Sequence, residues 1–130
     1  MKKVIVAVVL GLVTWIVVAS VGNRLLRAGL AGYREVEVAM TFTQPMLLAR
    51  LALGAVSSIA AGYVAAWSSG SSSVGVKALV AVLLLVFVPM HFAIWAKFPA
   101  WYHLVFLASL AVLTLAGAKL RGAPPAPAAA

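Results

Sequence analysis

The chain has 130 residues, 65% of them hydrophobic and only 9% charged, with a net charge of +8 and no cysteine. A soluble domain carries about 25% charged residues, so a chain this apolar cannot cover itself with polar surface and takes lipid as its solvent. The absent thiols exclude disulfides, thiolate metal sites and a cysteine nucleophile. The basic residues are scattered between apolar runs without an aromatic-interleaved stripe, which argues against nucleic acid and for lipid headgroups as the charged partner.

Met1-Lys2-Lys3 opens an uncharged apolar run from Val4 to Val21. A basic start, an apolar run and Val18-Ala19-Ser20 together resemble a signal peptide with a cleavage site. The run exceeds the roughly 7–15 residues of a signal core, and Trp15 sits where an interfacial anchor would. An uncleaved first span is therefore expected. The linker from Gly22 to Gln44 is the one sizeable piece outside the apolar runs. In it, Arg24-Leu25-Leu26-Arg27 reads as a short interfacial helix. Glu35 to Thr43 nearly alternates polar and apolar residues, which suits an extended segment with one apolar face. Such a segment would need a strand partner from outside this chain.

Thr43-Gln44-Pro45 marks a helix start, since proline is tolerated in the first turn and Thr43 or Gln44 can cover an open N–H. The second span runs from Met46 to Trp67 and contains Arg50. Arg50, Gly54, Ser58 and Gly62 recur every fourth residue, with Ala66 continuing the row. Small residues at this spacing let membrane helices approach closely. Arg50 thus ends a packing face and needs a partner. The chain has two acids, Glu35 and Glu37, so a buried ion pair of Arg50 with one of them, or bonds to carbonyls of the same loop, is expected to pin that loop over the bundle.

Ser68 to Ser73 reads as a flexible polar loop. The third span, Ala78 to Ala96, holds Pro89 and His91; the fourth, Ala100 to Ala118, holds His103. Lys97-Phe98-Pro99 makes a tight turn between them. His91 precedes Lys97 by six residues and His103 follows it by six, so an antiparallel pair puts both imidazoles at one depth, about 9 Å below the turn. Pro89 frees the carbonyl of Leu85 and can kink the helix beneath His91. A heptad seam is expected along Lys77, Ala81, Leu84, Val88, His91 and Trp95, facing His103, Leu107, Leu110, Thr114 and Gly117. Ala123 to Ala130 is a Pro/Ala tail expected to be disordered.

The resulting architecture is an all-α, integral membrane four-helix bundle, one domain over residues 1–122. The positive-inside rule places Lys2, Lys3, Lys77, Lys119 and Arg121 in the cytoplasm and Arg24, Arg27, Arg34 and Lys97 outside. Both termini are then cytoplasmic. The small excess also admits dual insertion. Trp15, Trp95, Trp101 and Tyr102 would mark the outer interface, and Tyr63 and Trp67 the inner one.

His91 and His103 admit three roles: hydrogen-bonded contacts between helices, ligands for a metal or haem completed by another subunit, or a proton path. No serine-hydrolase elbow, zincin motif, phosphate loop or dinucleotide fingerprint occurs. Ser57, Ser58, Ser109 and Thr114 lack an evident base, so catalysis is not expected. Small multidrug transporters and small fluoride channels share the size and helix number. The former carry an acid in the first helix, which Val4 to Val21 lacks, and the pattern of the latter is not seen. The leading expectation is a non-enzymatic accessory or assembly subunit of a bacterial inner membrane, acting through helix packing. No cofactor is required for that role. Membrane lipids, a second copy through the Gly54–Ser58–Gly62 stripe, or a larger complex are its partners. The alternative is a small transporter or cofactor-binding subunit using His91, His103 and Arg50.

Overall fold

The computed structural model describes residues 1–70 and 73–122. Ser71 and Ser72 of the serine loop and the Pro/Ala tail lie outside the described residues. The elements are α1 (Lys2–Gly29), α2 (Tyr33–Glu37), α3 (Gln44–Ser69), α4 (Val74–Ala93), a 3-10 turn at Trp95–Lys97 and α5 (Ala100–Arg121), with no strand among the described residues. α1, α3, α4 and α5 have 28, 26, 20 and 22 residues and are long and apolar enough to cross a membrane. At about 1.5 Å per residue each reaches roughly 30 Å or more, the thickness of a hydrocarbon core.

Three local expectations are corrected. α1 does not stop at Val21 but continues through Arg24-Leu25-Leu26-Arg27 to Gly29. A single glycine costs a helix only about 1 kcal/mol, and Gly22 lies directly against Leu53, where a Cβ would collide with the leucine methyls. Residues 35–40 are not extended but lie in helix and turn, and only the last residues before α3 run out to an extended Thr43. Gly32 turns the chain at φ 79°, α2 follows, and Thr41 N–H returns to the Val36 carbonyl. A lone strand here would leave its backbone groups unpaired, whereas a helical turn satisfies them locally. The third long helix ends at Ala93 rather than Ala96, because the chain tightens into the 3-10 turn that leads to Pro99.

Around the bundle the order is α1, α3, α5, α4, and α3 makes the most intimate contacts. Its small-residue row is used inside the chain. Gly54 meets the ring of Phe106, and a Cβ there would lie 2.9 Å from it. Ser58 accepts a hydrogen bond from Trp15 Nε1 at 3.1 Å. A Cβ on Gly62 would run into the Thr114 carbonyl, and one on Gly117 into the Ile59 carbonyl, so the α3 and α5 backbones touch. A second copy therefore has no free access to the Gly54–Ser58–Gly62 row. The same contacts correct two aromatic assignments. Trp15 and Tyr102 are buried, 8% and 3% exposed, because each has a polar partner inside the bundle. Trp95, Trp101, Tyr63 and Trp67 are exposed.

α4 packs one helical step away from the expected seam. Its buried row is Leu79, Leu83 and His91, with Phe87 beside it, while Lys77, Ala81, Val88 and Trp95 are exposed. On α5 the buried row is His103, Leu110, Thr114 and Gly117, with Leu107 half-buried. The distribution of polarity is inverted relative to a soluble domain. Ile5, Val13, Val56, Leu85, Leu104 and Val112 point outward, whereas Ser57, Ser58, His91, His103 and Thr114 are buried. The interior hydroxyls donate to carbonyls one turn back, as in Ser57 to Leu53, Ser58 to Gly54 and Thr114 to Leu110, which satisfies them without a second helix.

Candidate functional site

All four long helices and the α2 cap enclose a cavity of about 410 Å³ at one end of the bundle, a volume within the roughly 300–1,000 Å³ range of small-molecule sites. Its floor is aromatic. Trp15, Phe87 and Phe106 meet there, with the Trp15 and Phe87 rings 4.6 Å apart. Met40, Phe42 and Phe98 form the roof, where Phe42 stacks on Phe98 at 5.9 Å. Arg50, His91 and Tyr102 line the walls, and Asn23 and Glu37 the rim.

Arg50 does not pair with Glu35 or Glu37. Its Nη1 donates to the Tyr33 hydroxyl at 2.8 Å and its Nε to the Tyr102 hydroxyl at 3.3 Å. The Phe42 ring covers the guanidinium at 4.7 Å, a cation–π contact. From Tyr33 the network runs outward. The Tyr33 hydroxyl donates to Asn23 Oδ1 at 2.9 Å, and Asn23 Nδ2 donates to Glu37 Oε2 at 3.0 Å. Glu37 is taken instead by Arg27, through two bonds of 2.7 and 3.0 Å. The helical turn of α2 and the extension of α1 bring these two side chains together. Glu35 is exposed. Arg50 is thus linked to Glu37 by hydrogen bonds through Tyr33 and Asn23, and its charge acts on Glu37 without direct contact.

The Arg27 hydrogen bond, opposed by burial and aided by Asn23, holds the Glu37 carboxyl below its ordinary value of 4.5. A carboxylate with a lowered value in the folded state adds stability above 4.5, and that contribution fades as pH falls through the folded value. The pair is solvent-screened, so its contribution is small. Glu37→Gln is therefore expected to melt slightly below the parent at neutral pH. The gap should close as pH drops below 4.5; a gap that persists in acid would mean that charge is not what holds α2.

The histidines meet across the α4–α5 hairpin. Their Nδ1 atoms lie 2.8 Å apart, and His103 Nε2 lies 3.0 Å from the Trp95 carbonyl. The carbonyl can only accept, so His103 Nε2 carries a proton. In neutral His103 the Nδ1 is then a lone pair, and His91 Nδ1–H donates to it. This leaves the lone pair of His91 on Nε2. That atom has no hydrogen-bond partner among the described residues, and no buried side-chain nitrogen or oxygen among them is left unpaired. His91 Nε2 therefore keeps accessible surface, on a residue that lines the cavity. The same holds for Arg50 Nη2. Stacking fixes both rings, with Phe106 at 4.5 Å from His91 and Trp95 at 4.5 Å from His103.

The facing nitrogens hold a proton at hydrogen-bond distance. Two nitrogens on one tetrahedral metal, each at about 2.0–2.1 Å, would stand further apart. No group of three or more His, Cys, Asp or Glu side chains gathers among the described residues. Within the pair, only His91 Nε2 is placed to serve as a ligand from the cavity side.

Sequence reasoning singled out Arg50, His91 and His103 but not Tyr33, Asn23, Tyr102, Trp15 or Phe42. Asn23 carried a signal, since an amide continuing the apolar α1 face needs a partner. Tyr33 carried none, because its burial depends on the α2 turn. Comparison with known protein families, curated proteins and solved structures finds no match for this chain.

Proposed function

We propose that the chain is a multi-pass protein of a bacterial inner membrane, with both ends in the cytoplasm, and that it serves as a non-enzymatic subunit that holds a small ligand in the cavity beneath α2. The apolar exterior and buried polar interior support the membrane reading. The orientation follows from Lys2, Lys3, Lys77, Lys119 and Arg121 against Arg24, Arg27, Arg34 and Lys97. The short basic start and alanine-rich composition suit a bacterial membrane.

One observation carries the binding role. A cavity of small-molecule size is lined by a guanidinium and an imidazole that each keep an open polar atom. Polar groups are costly at membrane depth and mark functional positions there. The small-residue row that would serve an assembly role is already occupied by α1 and α5, which moves the weight from helix packing between subunits to the cavity.

Native mass spectrometry of the protein released gently from its own membrane tests this reading. A retained small-molecule mass that disappears in Arg50→Gln is the expected result. A bare chain from parent and variant alike would overturn it.

A further inference from the structure

The cavity's chemistry narrows the ligand. Arg50 and Glu37 are the charged side chains that line it, but Glu37 is held by Arg27 in a bidentate pair. The charge left facing the cavity is that of Arg50. Two of its nitrogens hold the hydroxyls of Tyr33 and Tyr102, and Nη2 remains open. His91 Nε2 offers a lone pair to the same cavity. A ligand that meets both must bring an anionic oxygen to Arg50 and a hydroxyl or other donor to His91. A carboxylate brings only the first. A phosphate monoester brings both in its singly protonated form, which its second proton, titrating near pH 6, keeps within reach of neutral pH.

The cavity is also too large for a phosphate alone. At about 30 Å³ per water it would hold roughly a dozen waters. Its mouth shows where the remainder of the ligand lies. α1 and α4 touch at Ala7 with Gly75, at Gly11 with Leu79 and at Trp15 with Phe87. Beyond Trp15 the cavity is bounded by Ala19 and Ser20 on α1, by Met90 on α4 and by Ile94 just past its end. Ser20 and Met90 are exposed, and the helix surfaces beside them carry exposed Val17, Val21 and Val86. The slot between α1 and α4 thus leads from a mainly apolar cavity, whose polar groups are gathered at Arg50, His91 and Tyr102, to an apolar rim on the outer face of the bundle.

We infer that the cavity binds a phosphate-headed amphiphile, with the phosphate between Arg50 and His91 and the apolar tail leaving sideways between α1 and α4. This rests on the binding role proposed above. The headgroup could equally come from free phosphate, and the test separates the two. The full chain, purified in a neutral detergent, is melted with lysophosphatidic acid, with lysophosphatidylcholine of the same tail, and with inorganic phosphate. Saturating lysophosphatidic acid is expected to raise the midpoint by about 5 °C, with little effect from the other two. Arg50→Gln should lose the shift. Arg24→Gln, which removes an exposed cation away from the cavity, should keep it. Ser20→Trp should lose it by closing the slot; Ser20 is exposed, so this variant carries the test if Arg50→Gln fails to fold.

Equal shifts with both lipids would show that the tail alone binds. A shift with inorganic phosphate as large as with lysophosphatidic acid would assign the site to a free anion. Loss of the shift in Arg24→Gln would reduce it to surface charge. Each overturns the inference. If no probe acts, the native mass decides further: a retained mass lost in Arg50→Gln keeps the binding role and rejects only the phosphate amphiphile, whereas a bare chain rejects both.

Discussion

Gly62→Val is expected to abolish a stable fold, with loss of monodisperse protein in detergent. The reason lies in where α3 and α5 touch. A Cβ at Gly62 would enter the Thr114 carbonyl, and the reciprocal contact between Gly117 and Ile59 locks the helices one turn further along. Backbone cannot swing aside as a side chain can. Overpacking of side chains typically costs about 1–3 kcal/mol, and separating two helices at a backbone contact should exceed that. Two further glycines make the comparison internal. A Cβ at Gly54 would lie 2.9 Å from an edge atom of Phe106, a side chain that can shift, although it is stacked on His91. Gly54→Ala should cost about 1 kcal/mol. Gly29 meets nothing within 4 Å, and Gly29→Ala should be neutral. Thermal midpoints in the order Gly29→Ala above Gly54→Ala, with Gly62→Val unfolded, are the expected outcome. Tolerance of Gly62→Val would mean that α3 and α5 stand further apart than described.

The same row shows how far the sequence could be read. Its four-residue spacing was visible, and so was the need of Arg50 for a partner. Which partner was not. An inventory of charges pointed to Glu35 and Glu37, because acids are the obvious counterparts of a guanidinium. The acceptors used are the hydroxyls of Tyr33 and Tyr102, and a tyrosine gives no sign in sequence that it is aimed at a cation. The four long helices were legible because long, mostly apolar runs leave no other way to satisfy the backbone in lipid. The rotation of α4 was not. From Ala78 to Val88 the helix is apolar on every side, with Leu83, Leu84 and Leu85 in succession, so no period distinguishes the buried row from the lipid-facing one. α5 was easier, since Ser109, Thr114 and Gly117 interrupt its apolar surface. The strand-like pattern from Glu35 to Thr43 misled because alternation over so short a stretch is also compatible with one helical turn and a bend.

The histidine pair provides the sharpest test of the site's interior. Counting residues from the turn put both rings at one depth, and their Nδ1 atoms lie 2.8 Å apart. The Trp95 carbonyl, 3.0 Å from His103 Nε2, fixes the direction of every proton in the chain. Imidazole nitrogen-15 spectra should therefore show His103 as the Nε2–H tautomer and His91 as the Nδ1–H tautomer. Substitution should be asymmetric. His103→Phe strands two groups, the His91 N–H and the Trp95 carbonyl, at about 1–3 kcal/mol for each that stays dry. His91→Phe strands one, the His103 lone pair, and should cost about half as much. Replacing both rings with phenylalanine removes donor and acceptor together. Since an unmatched polar group costs more than a matched pair contributes, the double variant should be more stable than the sum of the single losses predicts. Additive losses would show that the rings do not bond to one another. A reversed tautomer at His91 would turn its Nε2 from acceptor into donor, and the cavity would then present donors from both Arg50 and His91.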